Sequence, residues 1–517
     1  MLLPAAAVLA VLLALVVPRR RRWVLAVPVP ALALLGPLVL EALGDLEAGT
    51  WRLLLADPGA AYAAAPAAPW LAVLGWPVAP PAFPGLDPAA GGMVGWLARF
   101  ALLAGGAGLL LAALAALLRG TGRARAVRAG WLVAVVGLVA ALAAARTDVA
   151  LGAGPDGTAA VVAGWAGAGL SLVVLGLLLA AVVAGDGVQA ALGTRSFGWA
   201  QVGATVLSVL AFLGPLVTAG GWLVAARVGQ DQPTAVFALH GRTAPAVPAV
   251  AAEMQGSSQR SRVLALTPLD GEVRAELWRG PGPQLTTAAA VIGARDLAEA
   301  TAAATGEGDA AADPAATDLA DLVAALAVGA ADDAATRLGA HAVSIVVVPP
   351  EAQFVPAGTE PTTAERRALV ARLDATAGLE RVTENASGTV WRVARGAGDD
   401  ATPSVARARV LDADGAWVQD VAAGMVGVHT ELPRGPEGRR LVLAERADAG
   451  WRAWYDGRPL RATTDGWHQA FELPPHTGTL TVRYTAPQGA AWGWAQGAVF
   501  GLTLLLALPL RRRREVD

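Results

Sequence analysis

Trp492–Leu510 reads WGWAQGAVFGLTLLLALPL, and Arg511–Arg514 follow it at once. Roughly 20 mostly apolar residues cross the hydrocarbon core of a bilayer. Tryptophan favours the interface, and arginine is retained on the cytoplasmic side. The stretch predicts a helix that leaves the membrane into the cytoplasm, and everything upstream is placed relative to it.

Six further segments have the same character: Leu2–Val17, Trp23–Leu40, Gly95–Leu118, Trp131–Ala145, Val161–Gly185 and Trp199–Ala226. Pro28, Pro30 and Pro37 predict a kink in the second, tolerable where neighbouring helices or water satisfy the freed carbonyls. The composition agrees: 55% of the 517 residues are hydrophobic and 16% are charged, against about 25% charged in soluble domains. Trp23, Trp96, Trp131, Trp199 and Trp222 sit near segment ends, as interfacial anchors do.

Arginine placement sets the orientation. Arg19–Arg22, then Arg119, Arg123, Arg125 and Arg128, then Arg195, then Arg511–Arg514 occupy alternate loops. The other loops carry Asp45, Glu47, Asp57, Asp87, Asp148 and Asp156. One assignment satisfies every loop: N-terminus outside, C-terminus cytoplasmic, residues 228–490 extracytoplasmic. The positive charge follows the first apolar run, whereas a signal peptide carries it before the run. This predicts an N-out helix or a chain cut from a longer one. All the basic charge is arginine, and with so much Ala, Gly, Val and Leu it points to a GC-rich bacterial genome.

Some function classes drop out early. The net charge of -2 shows no basic face for nucleic acid. Cysteine is absent, which removes disulfides, thiolate nucleophiles and cysteine metal sites. The spans lack the mid-membrane charges of a proton-coupled transporter.

The chain divides into a membrane region at 1–227 with an outer loop at 44–92, an extracytoplasmic part at 228–490, and a last span with a basic tail at 491–517. Within the outer loop, Trp51–Ala56 and Pro69–Trp76 read as short surface helices. Residues 228–398 predict an α/β lobe. Its strands are Arg262–Thr267, Val273–Arg279, Val343–Val348, Glu380–Thr383 and Thr389–Val393, with helices at Asp318–Val328, at Asp332–Leu338 and from a Thr362/Glu365 capping box to Ala377. The Ala/Gly/Asp-rich stretch 296–317 reads as a mobile loop. Residues 399–490 show strands and turns only: Ala406–Leu411, Ala416–Val421, Arg440–Ala444, Trp451–Tyr455, Gln469–Leu473 and Thr479–Tyr484. That spacing predicts a β-sandwich lobe seated on the membrane surface. The expected fold is thus a polytopic α-helical membrane protein of about seven spans with two outer lobes.

Four stretches carry a resemblance: LGAHAVSIVVVP at Leu338–Pro349, GLERVTENASGTVWRV at Gly378–Val393, AGWRAWYDGRPL at Ala449–Leu460 and AFELP at Ala470–Pro474. With the order of parts, they resemble the membrane-integral C-terminal region of actinobacterial family 2 glycosyltransferases. The likeness runs over most of the chain, and its motifs are packing and turn signatures. Such proteins begin with a cytoplasmic nucleotide-sugar-binding domain, for which this chain has no room before Leu2. The resemblance therefore implies that the catalytic module is missing from this chain or is encoded separately, as a cytoplasmic glycosyltransferase partner.

Candidate chemistry is sparse. Glu41, Asp45 and Glu47 stand at the outer mouth of the second span, where a carboxylate base, Asp45 by preference, would deprotonate an acceptor hydroxyl. A solvated acidic loop is the plainer reading. Trp451, Trp454 and Trp467 present aromatic faces that suit sugar rings, although strand spacing equally makes them core. Asp412-Ala-Asp414 has metal-ligand spacing, and a hairpin turn explains it. Asn385-Ala-Ser387 reads as a turn. His240, His341, His429, His468 and His476 read as isolated surface residues, and no metal or cofactor is expected. These readings predict a membrane component of a cell-envelope glycosyltransferase system that binds lipid carrier or glycan without catalysing. A self-sufficient polyprenyl-phosphate-sugar transferase and a non-enzymatic surface scaffold are the alternatives.

Overall fold

The structure, a computed structural model, describes residues 2–16, 21–57, 59, 61, 63, 66–78, 92–118, 123–153, 159–186, 198–228, 247–269, 272–282, 289–305, 313–350, 363–385, 387–394, 404–486 and 489–508. The N-terminal part holds α1 (Leu2–Val16), α2 (Arg21–Ala26), α3 (Val29–Ala42), a 3-10 turn at Thr50–Leu54, α4 (Pro69–Val73), α5 (Gly92–Leu117), α6 (Ala124–Ala144), the hairpin β1 (Asp148–Ala153) and β2 (Ala159–Ala163), α7 (Gly167–Gly185) and α8 (Trp199–Val228).

Four helices are long and apolar enough to cross a membrane: Val24–Ala42, Ala124–Ala144, Gly167–Gly185 and the last helix, Gly489–Ala507. Among the described residues, Pro4–Ala14, Leu103–Leu117 and Gln201–Val217 are shorter apolar stretches. The expected span Val161–Gly185 is corrected. Val161 lies in β2, which pairs antiparallel with β1, and the helix starts only at Gly167. The paired valines of Ala159–Ala163 suit a strand, but the run's apolar character merges with the helix in a hydropathy reading.

Small residues let α6 and α7 approach closely. Gly130 and Gly137 on α6 face Gly176 and Gly169 on α7. A Cβ at Gly130 would lie 2.8 Å from the Gly176 carbonyl oxygen, and one at Gly137 2.7 Å from that of Gly169. The prolines of α3 are handled differently. Pro37 has no N–H to offer the Ala33 carbonyl. Gln496 in the last helix supplies donors instead, with Nε2 at 3.3 Å from the Ala33 oxygen and 3.2 Å from that of Leu34.

After α8 come α9 (Ala249–Gly256), β3 (Arg262–Leu269), β4 (Glu272–Trp278), α10 (Ala290–Thr305), α11 (Pro314–Val328), α12 (Ala334–Ala340), β5 (Val343–Val348), α13 (Thr363–Ala375), β6 (Leu379–Asn385) and β7 (Gly388–Val393). They build a mixed five-stranded sheet in the order β4-β3-β5-β7-β6, with β3 and β5 parallel. Every residue of β5 is buried because both faces are covered. Val346 and Val348 pack with Leu322, Leu326, Leu338 and Leu369 from α11, α12 and α13. Ile345 and Val347 pack with Ala251 of α9.

The mobile loop expected at 296–317 is also corrected. Residues through Thr305 continue α10, and α11 starts at Pro314, capped by Asp313, whose side chain accepts the Ala315 N–H at 3.0 Å. Alanine is the strongest helix former, so the two ends of this stretch are helical, and residues 306–312 lie outside the described residues. Thr362 of the expected capping box lies outside the described residues.

The remaining strands are β8 (Ala408–Leu411), β9 (Trp417–Asp420), β10 (Val428–Leu432), β11 (Arg440–Arg446), β12 (Trp451–Tyr455), β13 (Arg458–Pro459), β14 (Ala462–Asp465), β15 (His468–Glu472) and β16 (Gly478–Tyr484), before α14 (Gly489–Ala507). They form two sheets, β10-β16-β12-β13 and β14-β15-β11-β8-β9. Inward residues of both, including Val410, Leu441, Phe471, Tyr455, Leu480 and Val482, share one core.

Candidate functional site

At the mouth of α3, α10 is joined to the end of that apolar helix, the 3-10 turn and the β1–β2 hairpin. Ala42, Leu53, Val149, Ala150, Ala290 and Ala294 form one buried cluster. It joins the end of α3, the 3-10 turn, β1 and α10. The backbone ties are specific. Ala290 donates its N–H to the Gly59 carbonyl at 2.8 Å, and Arg52 Nε donates to the Asp148 carbonyl at 3.1 Å. Gly293 is required because a Cβ there would strike the Leu151 carbonyl.

The three acidic candidates have different fates at this joint. Glu41 is engaged by both arms of Arg295 on α10, Nε to Oε1 at 2.6 Å and Nη2 to Oε2 at 2.9 Å. This fork-on-carboxylate geometry is the strong form of the pair, and it raises the Arg295 pKa further above its ordinary value. Asp45 is exposed and its Oδ1 accepts the Ala48 N–H at 2.9 Å. Thr50 Oγ1 donates to the Asp45 carbonyl at 2.6 Å, closing the turn around it. Glu47 is exposed. Asp45 and Glu47 both stay exposed on this turn, and Asp45 lies nearer the end of α3.

The tryptophan candidates are not brought to one face. Trp451, Ala453 and Tyr455 are the inward residues of β12, and Trp451 packs edge-on against Tyr484 at 5.1 Å between ring centroids. Trp454 stands on the opposite, outer face of the same strand, half-buried. Trp467 belongs to the other sheet, in the β14–β15 turn, where its ring is sandwiched between His341 at 4.6 Å and His468 at 3.7 Å.

That sandwich opens onto a polar seam between the two β-rich units, which the sequence did not reveal. His341 Nε2 lies 2.8 Å from Asp318 Oδ2, and Arg337 donates to Asp318 Oδ1 at 2.9 Å. Burial lowers the His341 pKa, so the neutral ring donates to the carboxylate. Burial alone would raise the Asp318 carboxyl, but the bonds from His341 and Arg337 bring it below the ordinary value. His468 has Nδ1 at 3.0 Å from the Asp465 carbonyl and Nε2 at 3.3 Å from Arg409 Nη2. The same Nε2 lies 3.1 Å from the Ala340 carbonyl, so this nitrogen faces both a donor and an acceptor. Burial and then the Arg409 charge lower its pKa.

A few residues away, Glu445 receives Arg262 at 2.7 Å, Arg407 at 2.9 Å and Arg279 at 3.3 Å. Burial pushes Glu445 up, and the three guanidinium groups outweigh it and hold the carboxyl below its usual range. Burial lowers Arg262 to about 10.

The other sequence candidates have structural uses. Asp412 Oδ1 accepts the N–H groups of Asp414 and Ala416 at 3.0 and 2.8 Å, fixing the β8–β9 hairpin turn. Asn385 Oδ1 accepts the Ser387 N–H at 2.8 Å in the β6–β7 turn. His429 bonds Thr481, and His476 packs against Tyr455. His240 lies outside the described residues. Among the described residues no group of three His, Cys, Asp or Glu side chains is placed to hold a metal. Comparison with protein-family models, curated proteins and solved structures finds no match to this chain.

Proposed function

We propose that this chain is a non-catalytic membrane component of a cell-envelope glycosyltransferase system of a high-GC bacterium. On this reading it crosses the bilayer seven times, with its N-terminus outside and C-terminus in the cytoplasm. An α/β lobe and a β-sandwich lobe stand on the outer surface. The spans and the joint hold a polyprenyl-linked sugar or a growing envelope glycan, and a separate cytoplasmic glycosyltransferase supplies the transfer chemistry.

One observation carries the supporting role over the catalytic one. Glu41 is committed to Arg295 as a brace between α3 and α10. A base must reach its substrate with a free oxygen, and both Glu41 oxygens are engaged by Arg295. The sidedness has support of its own. The 44–61 segment, the β1–β2 hairpin and α10, which the arginine pattern puts on one side, are the segments packed at the joint.

Deleting the chain from its native host should alter envelope glycan composition, and unchanged glycans would overturn the reading. Purified protein in liposomes with a polyprenyl-phosphate sugar and acceptor should transfer nothing by itself. Turnover that Asp45→Asn abolishes would hand the site to the self-sufficient transferase instead.

A further inference from the structure

We propose that the tip Met425–Val426 is seated in the outer interface of the bilayer that α14 crosses, with Arg452 and Arg483 receiving the phosphates of anionic lipid headgroups. The inference rests on α14 spanning the membrane and not on any part in glycan transfer.

The tip is built against the preference of water. Met425 is 73% exposed and Val426 59%. They occupy the end of a narrow turn in which Ala423 pairs with Val428 and the Gly424 N–H donates to the Gly427 carbonyl at 2.8 Å. Turn tips in water favour Asn, Asp, Ser and Gly, and adjacent exposed apolar side chains mark a contact surface. Arg407, itself buried, braces the turn from beneath. It donates to the Gly424 carbonyl at 2.7 Å and to that of Val426 at 2.6 Å, while its Nε bonds Glu445. The Gly424, Val426 and Gly427 carbonyls are thereby satisfied from within the protein. That matters at an acyl boundary, where lipid offers no hydrogen bonds.

Position and charge complete the case. Val428 pairs with Val482, so the turn lies beside the last residues of β16. From Tyr484 the chain reaches α14 at Gly489, a path of at most about 17 Å when fully extended. One residue back on the outer face, Arg483 stands directly across from Arg452. Both are exposed, and neither has an acidic partner among the described residues. Like charges directly opposite on paired strands destabilise them, and a phosphate between two guanidinium groups reverses that sign. Trp454 occupies the next row of the same face, opposite Thr481. An apolar tip below a row of cations and an aromatic ring is the layering of a membrane-interface element.

The chain has no cysteine, so single labels are unique. Met425→Cys, Glu437→Cys (on the connection at the far end of the sheet) and Phe500→Cys (65% exposed on α14) would each carry a polarity-sensitive dye. The full-length protein would be placed in phosphatidylcholine liposomes containing phosphatidylglycerol and a spin-labelled quencher lipid. Positions 425 and 500 should be quenched and 437 not. Removing phosphatidylglycerol, or combining Arg452→Gln with Arg483→Gln, should cut quenching at 425 at least twofold and leave 500 unchanged. Quenching at 425 no greater than at 437 overturns the proposal, and indifference to both lipid charge and the arginine variants overturns its headgroup half. An unquenched position 500 would instead overturn the membrane placement on which the proposal stands.

Discussion

At the seam between the two β-rich units, Glu445 is 12% exposed and bonded by three arginines, two of them at 5% and 6%. At the joint between α10 and α3, the only ion pair among the described residues is Glu41–Arg295, with both side chains 42% exposed. Around it lie mainly alanines, Ala42, Ala150, Ala290 and Ala294, each of which removes little apolar surface from water. The contrast separates two kinds of connection. Buried charges tolerate one geometry, so the two β-rich units are fixed to each other as one body. Small side chains and a half-exposed ion pair hold α10 to α3 and the β1–β2 hairpin far less tightly.

The largest test of the contrast falls on the seam. Glu445→Gln leaves Arg262, Arg279 and Arg407 without their common counter-charge. Removing one member of a buried ion cluster costs about 3–5 kcal/mol. For a β-rich body of this size the unfolding midpoint should fall on the order of 10 °C, read by thermal melts in detergent. A shift as small as that of a surface charge would mean that water reaches the cluster.

The second test lies on the membrane side. Gln496→Leu leaves the Ala33 and Leu34 carbonyls without their donor in an apolar setting. Interhelical hydrogen bonds in membranes contribute about 1 kcal/mol. Crosslinking between paired cysteines introduced on α3 and α14 should become less efficient, while the melt of the β-rich body stays unchanged. If that melt falls too, body and helices are coupled more tightly than the joint suggests.

What could be read from the sequence tracks how local the cause is. β5 and β12 coincide with their expected spans, because a continuous apolar run and an alternating one each carry their own signature. β10 and β14 were missed. VHTEL and ATTD are polar strands at sheet edges, held by pairing with β16 and β15 and not by composition. Pro37 announced an orphaned carbonyl, but its partner Gln496 lies 462 to 463 positions away in sequence. Glu41 and Arg295 are 254 apart. The seam could not be inferred for the same reason: His341 and Trp467 come from different units, and nothing in either neighbourhood predicts their stacking.

The third test uses pH against the seam. Both His341 and His468 titrate below the ordinary histidine value of about 6.5. The unfolded chain therefore binds protons that the folded seam refuses. The stability from these rings is complete above about pH 6.5 and is lost as pH falls through their folded values. Asp318 and Glu445 are also lowered, so their share is lost only in a second, more acid window below about pH 4. Midpoints followed by tryptophan fluorescence should drop between pH 7.5 and 5.5. His341→Gln with His468→Gln should flatten that step and leave the lower one. A step that persists in the double variant would place the titrating group elsewhere.

The smallest effect belongs to the joint. A half-exposed pair contributes about 0.2–1 kcal/mol even with good geometry, so Glu41→Gln and Arg295→Gln should each barely move the melt. Their coupling, measured as a double-mutant cycle on protease accessibility of the α10 region, should fall within that range. It should also shrink as salt is raised from 0.05 to 0.5 M, a range chosen because screening lengths shorten to several ångströms there. A coupling above about 2 kcal/mol, insensitive to salt, would mean that the pair is dry in the membrane-embedded protein. The joint would then resemble the seam, with α10 held to α3 as firmly as the two β-rich units are held to each other.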